Sequence, residues 1–202
     1  MMIINLNGRQ IEFQTLDINI VERNIENIFK DNKKAVLYKL DKAIANPKDR
    51  LHQIAKEHKI KYEGLLNLKL GEFLLKLKSE KNEDYLKYLN KYGDKKYCIY
   101  KIEKHEKDKG IYCYIIENEI VYIGRSKKNF KERFNEYGKI TAYNCLIDGQ
   151  ATTCNINSKI NELSSVKVGF HIMTNDSDEK ITLFQKELLK NVQNLKWNIQ
   201  KK

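Results

Sequence analysis

Tyrosines and arginines are spaced to meet one another in the stretch 110–137, GIYCYIIENEIVYIGRSKKNFKERFNEY. Tyr112, Tyr114 and Tyr122 fall in two runs rich in Ile, Val and Tyr; Gly124 follows, and Arg133 and Tyr137 come a little later. Phenols both give and accept hydrogen bonds, and a guanidinium grips an oxyanion through two parallel N–H bonds. Gathered around a glycine, such groups suit a bound phosphate. The chain holds only five arginines, and two of them, Arg125 and Arg133, lie in this stretch, so their placement is hard to attribute to composition.

The elements that must position these groups are a hairpin and a helix. Glu117-Asn118-Glu119 separates the two apolar runs and predicts a β-hairpin with a short polar turn. With those three residues as the loop, Ile116 faces Ile120. Alternation then puts Tyr112, Tyr114, Tyr122 and Gly124 on one face. Ile111, Cys113, Ile115, Val121 and Ile123 fall on the other, an apolar face suited to a core. Asn129 then opens a helix as its N-cap, with Glu132 three residues on and Gly138 placed as a C′ glycine. Phe130 and Phe134 share one stripe of that helix and Arg133 and Tyr137 the next, so Arg133 is expected to look back at the tyrosine face.

Gly110-Ile111-Tyr112, Tyr122-Ile123-Gly124 and the helical Arg133, in this order and context, resemble the signature of the GIY-YIG nucleases. The nine-residue step from Gly124 to Arg133, with Tyr137 one turn later where many members carry His, is most similar to the compact GIY-YIG type II restriction endonucleases. The resemblance spans about residues 105–200. It implies an α/β (α+β) domain with a small antiparallel sheet flanked by helices. It implies a metal-dependent endonuclease that hydrolyses phosphodiester bonds of duplex DNA, using Mg2+ or Mn2+. A homodimer on palindromic sites and a cognate methyltransferase would accompany a restriction enzyme. Carried over residue by residue, Tyr112 takes the proton from water, Tyr122 and Tyr137 hydrogen-bond around phosphate and water, and Arg133 stabilises the transition-state charge. Gly124 and Asn198 support them. A phenol is a poor base at its ordinary pKa of ~10, so a cation must shift it.

The metal position departs from the family pattern. That pattern on the late helix is Glu, two residues, then two aliphatics; here it reads Gln185-Lys186-Glu187-Leu188-Leu189. Gln185 stands where the metal-ligating glutamate is expected, and a neutral amide is a weak substitute for a carboxylate on Mg2+. Three readings stay open: an inactivated variant of a nuclease, a naturally degenerate DNA-binding or regulatory protein, or service by Glu187 after a register shift. A repair or mobile-element nuclease acting on branched or single-stranded substrates is a further rival.

A net charge of +11 over 202 residues suits a polyanionic partner. It also suits a mere Lys- and Asn-rich composition of the kind AT-rich coding sequence gives. Arg125, Ser126, Lys127 and Lys128, beside the motif, and Gln150, Asn155 and Asn157, in the polar run after it, are the expected DNA contacts. For the last three, capped turns are the rival reading. Cys98, Cys113, Cys145 and Cys154 form no C-x-x-C pair and are expected as reduced, buried thiols rather than a zinc site. No secretory signal and no apolar run near ~18 residues are found, so a cytoplasmic protein without a membrane span is expected.

Along the chain, Asn7-Gly8 within residues 2–13 predicts a hairpin. Ile18, Val21, Ile25 and Ile28 recur near the helical period, and a further helix is expected over about 33–45. Asn46-Pro47 reads as the N-cap and N1 of a third. Residues 50–75 resemble a helix-turn-helix, with Ile54-Ala55 at the contact, Ile60 in the turn and Leu65 and Leu68 inside, although Lys59 stands where glycine is usual; an ordinary helical hairpin is the rival. His52 and His58 are expected on helix surfaces. A boundary near 93–96 gives a mostly helical N-terminal domain, 1–95, and a nuclease domain, 96–202. In the latter, 97–103 and 166–173 are expected as strands, His171 as a packed or edge residue, and 179–193 as a helix capped by Asp178 with Leu183, Leu188, Leu189 and Val192 inside.

Overall fold

A computed structural model describes residues 1–30 and 39–198. The protein is mixed α/β, with a curled antiparallel sheet flanked by helices. The chain divides into two compact units, one of residues 1–23, 98–139 and 159 onward, the other of residues 24–97 and 140–158. The expected cut near 95 therefore leaves out two exchanges: the N-terminal hairpin belongs with the tyrosine-rich stretch, and residues 140–158 belong with the helices that precede it.

The first unit is built on a sheet of strands β1 (Met2–Leu6), β2 (Arg9–Asp17), β5 (Gly110–Ile116), β6 (Glu119–Ser126) and β7 (Lys167–Ile172). Their order is β1-β2-β7-β5-β6, every neighbour antiparallel. Asn7 and Gly8 turn the first hairpin with φ of 50° and 78°, the primed geometry that matches strand twist. Its Leu6, Ile11 and Phe13 then need cover, and they find it by joining β7 rather than a helical domain.

The β5–β6 hairpin keeps the expected tyrosine register by a different route. The loop is two residues, Glu117-Asn118, with φ of 50° and 64°, and Ile116 pairs with Glu119. A bulge between Tyr114 and Ile115 restores the offset, so Tyr112 faces Gly124 and Tyr114 faces Tyr122. Because the extra residue on the bulged strand is Val121, Ile120 takes the place expected for Val121 in the apolar cluster.

Both faces of this sheet are cores. Ile111, Cys113, Ile115 and Ile123 pack with Ile181 and Leu188 of helix α7 (Asp178–Asn191). Ser177, not Asp178, caps that helix by accepting from the Lys180 N–H, and Leu183 points outward, 57% exposed. On the opposite face Tyr112, Tyr114 and Phe170 meet Phe130 and Phe134 of helix α4 (Phe130–Gly138), with ring centroids 4.7 to 6.3 Å apart. The phenol face is thus roofed by an aromatic helix stripe. Asn129 caps α4 through its side chain as predicted. Gly138 ends it for closeness rather than for a left-handed turn: a Cβ there would stand 2.1 Å from the Tyr100 carbonyl.

Strand β3 (Asn19–Ile25) replaces the helix expected from the spacing of Ile18, Val21, Ile25 and Ile28, pairing with β4 (Tyr97–Lys101) in a separate two-stranded sheet rather than the main one. Ile18, Ile20, Val21 and Ile25 are all β-branched, and over so few residues their spacing also admits a strand.

The second unit is helical: α1 (Leu40–Ala45), α2 (His52–His58), α3 (Leu70–Ser79), α5 (Ala142–Cys145) and the first two turns of α6 (Ala151–Glu162). Of the helix expected over 33–45, residues 33–38 lie outside the described residues. Leu40, Leu51, Phe73, Leu77, Tyr88 and Leu146 make its core. The helix-turn-helix expectation fails here. Ile60 is 91% exposed, Leu65 ends a short 3-10 turn, and the second helix begins only at Leu70. Pro47 opens a turn, with the helix starting at His52. His58, expected on the surface, is buried against the Tyr88 hydroxyl at 2.9 Å, and His52 contacts the Ala43 carbonyl at 3.0 Å.

Candidate nucleic-acid interface

The candidate interface is assembled from the end of β6 and the first turns of α4. Gly124 has a steric reason to be glycine. The Tyr112 ring lies across it, and a Cβ there would sit 2.3 Å from the ring's Cζ. Tyr112 in turn touches the rings of Tyr114, Tyr122, Phe134 and Tyr137. The Tyr122 and Tyr137 hydroxyls meet at 3.3 Å, and those of Tyr100 and Tyr114 at 2.8 Å. Tyr100 carries no such signal in the sequence, since packing between strands of separate sheets, not a local spacing, brings it to Tyr114.

Burial raises the pKa of the Tyr112 and Tyr122 phenols, the neighbouring tyrosine oxygens adding to it, so at neutral pH they stay protonated. A protonated phenol can donate to a phosphate oxygen. It cannot take a proton from water. Tyr112 is moreover only 1% exposed.

Arg133 reaches this cluster as predicted. Its guanidinium lies 5.7 Å from the Tyr137 ring centre and donates to Glu136 Oε2 at 2.9 Å. Its Nε is buried without a hydrogen-bond partner. Burial opposes its charge, but the phenol oxygens of Tyr112 and Tyr137 and the Glu136 carboxylate outweigh it, so its pKa stands above the ordinary value. Arg133 then lines an open pocket of 340 Å³ with Arg125, Lys127, Lys128, Glu132 and Glu136. Four cations against two carboxylates leave the pocket net positive. The two acids at its rim lie i+3 from Asn129 and from Arg133, spacings visible in the sequence but not read as part of a site.

Of the expected DNA contacts, Arg125, Lys127 and Lys128 line the pocket and the two lysines are exposed. Ser126 also borders it, but it is 3% exposed and its hydroxyl donates to the Asn129 carbonyl, closing the turn into α4. Gln150, Asn155 and Asn157 belong to the second unit. Gln150 is exposed and accepts from Thr153, whereas Asn155 and Asn157 are buried within α6 and present no surface to a ligand.

Gln185 and Asn198 meet on one peptide. Asn198 accepts from the Ile123 N–H and donates to the Ile123 carbonyl, both at 3.0 Å, pairing with the edge strand β6. Gln185, 5% exposed, donates to the same carbonyl at 3.3 Å and accepts from an Arg125 Nη1. A guanidinium against the amide oxygen is the opposite of what a cation's ligand needs. Glu187 is turned away, held by Arg9 at 2.9 Å and Asn7 at 3.1 Å. Among the described residues no three His, Cys, Asp or Glu side chains group to hold a metal. The residues at the expected metal position therefore do not fit a divalent ion.

No family model, curated protein or solved structure matches the chain. Among the described residues no helix is long and apolar enough to cross a membrane.

Proposed function

We propose that this chain acts on DNA through a domain of the GIY-YIG nuclease type that seats a backbone phosphate of a duplex in the Arg133 pocket. The observation that carries the reading is Arg133 itself. Its guanidinium is charged and backed by a buried phenol cluster, and it opens onto a pocket whose other cations are Arg125, Lys127 and Lys128. A phosphodiester placed there gains charge-assisted hydrogen bonds from two guanidiniums.

Binding without cleavage is the activity the geometry supports best, because Gln185 is engaged by Arg125 and Tyr112 is covered and protonated. Duplex DNA would then be recognised on the scaffold of a restriction-type endonuclease by a DNA-binding or regulatory protein. Endonuclease action is the second reading, favoured by the convergence of Tyr112, Tyr122, Arg133 and Tyr137 on one spot. In that reading Arg133 holds the developing phosphoryl charge, Tyr122 and Tyr137 donate to its oxygens, and the Tyr112 hydroxyl must be uncovered before it meets water.

A plasmid cleavage assay with Mg2+ or Mn2+, run beside a gel shift on the same DNA, tests both. Retention without cutting is expected. Discrete fragments from the unaltered chain that vanish in Arg133→Ala would establish the endonuclease. A preference for branched over plain duplex would point instead to a repair or mobile-element role.

A further inference from the structure

We infer that Gln185 is a positioning residue that aims Arg125 into the pocket as a second phosphate-binding guanidinium, so that phosphate binding there needs no divalent cation. The inference rests on the phosphate pocket proposed above and deepens it. The amide's orientation is fixed by its surroundings. Gln185 Nε2 donates to the Ile123 carbonyl, so Oε1 is the atom left to face Arg125, and a guanidinium, which only donates, requires an oxygen there. Arg125 Nη1 is thereby tied to α7, on the face of the sheet opposite α4, while the rest of the fork remains to meet a ligand in the pocket that Arg125 and Arg133 both line. A neutral amide orients the guanidinium without neutralising it. A carboxylate in the same place would hold it as an ion pair and cancel the charge a phosphate needs.

The opposite expectations of a positioning amide and of a lost metal ligand make the test sharp. Affinity of the full chain for a fluorescent duplex is measured by anisotropy, in EDTA and in Mg2+ at matched ionic strength, for the unaltered chain, Arg125→Gln, Gln185→Glu, Gln185→Met and Arg133→Ala. Melting temperatures certify folding, and Gln185→Met is the safer variant because Asn198 still satisfies the Ile123 carbonyl. The unaltered chain should bind no more tightly in Mg2+ than in EDTA, since Mg2+ only competes for the duplex phosphates. Arg125→Gln and Gln185→Glu should each weaken binding roughly tenfold at ~0.1 M salt and lower the salt-dependence slope by about 1. Gln185→Met should weaken it less, leaving the slope intact. A Mg2+-dependent gain of affinity or cleavage in Gln185→Glu would overturn the inference, as would unchanged binding by Arg125→Gln when Arg133→Ala loses affinity. Absence of binding by the unaltered chain, or indifference to Arg133→Ala, would instead remove the phosphate pocket itself.

Discussion

At the scale of single residues, the tyrosine–glycine contact is the tightest constraint. A methyl group on Gly124 would enter the Tyr112 ring, and that ring is locked by Tyr114, Tyr122 and Phe134. Gly124→Ala should therefore cost about 1–3 kcal/mol, the usual range for overpacking. Urea unfolding checks this, and a change in near-ultraviolet circular dichroism should accompany it as the tyrosine rings shift. Unchanged stability would mean that the ring has room elsewhere. The need for glycine was legible only as part of a motif, since the sequence alone does not say that the Tyr112 ring crosses it. The fate of Gln185 was less legible still. Its amide partner, Arg125, lies sixty positions away, and only the packing of α7 on β6 brings the two together.

At the scale of elements, local signals are legible where one residue type decides the geometry. Asn7-Gly8 made its turn and Asn129 its cap because both depend on near neighbours. Geometry that depends on distant partners is not legible in the same way. Residues 19–25 became a strand by pairing with β4, and the polar run around Asn155 became a buried helix. The bulge in β6 was invisible, yet it compensated a one-residue error in the loop and left the tyrosine register intact. The C-terminal cover of β6 gives a prediction at this scale. Asn198→Ala removes both hydrogen bonds to the Ile123 peptide at an edge strand, where Gln185 can replace only one of them. It should destabilise the first unit by about 1–3 kcal/mol, the cost of an unsatisfied buried backbone group. Hydrogen exchange should show faster opening at Ile123, and an unprotected Ile123 amide in the unaltered chain would contradict the assignment.

At the scale of the whole molecule, the two units should respond to different variables. The helical unit should lose stability as the solution is acidified. Burial lowers the pKa of His58, with Lys87 and Lys61 adding to this and Asp84 opposing it, while the unfolded chain takes up its proton near the ordinary value of 6.5. The unfolded state then binds more protons below that pH, so the melting temperature should fall from about pH 7 toward pH 5. His58→Leu should flatten this fall, and a parent chain that grows more stable on acidification would contradict the sign. The first unit should respond to phosphate and salt through its basic pocket. The excess of positive charge was legible in the composition; its concentration beside Arg133 was legible only through the hairpin and helix that carry it.

Whether the Arg133 pocket receives a DNA phosphate is decided by titrating a labelled duplex with the unaltered chain and with Arg133→Ala across a range of salt. Log affinity should fall linearly with log salt for both, with Arg133→Ala weaker by roughly tenfold and its slope smaller by about 1. Identical affinities and slopes for the two folded proteins, or no duplex binding by either, would contradict it.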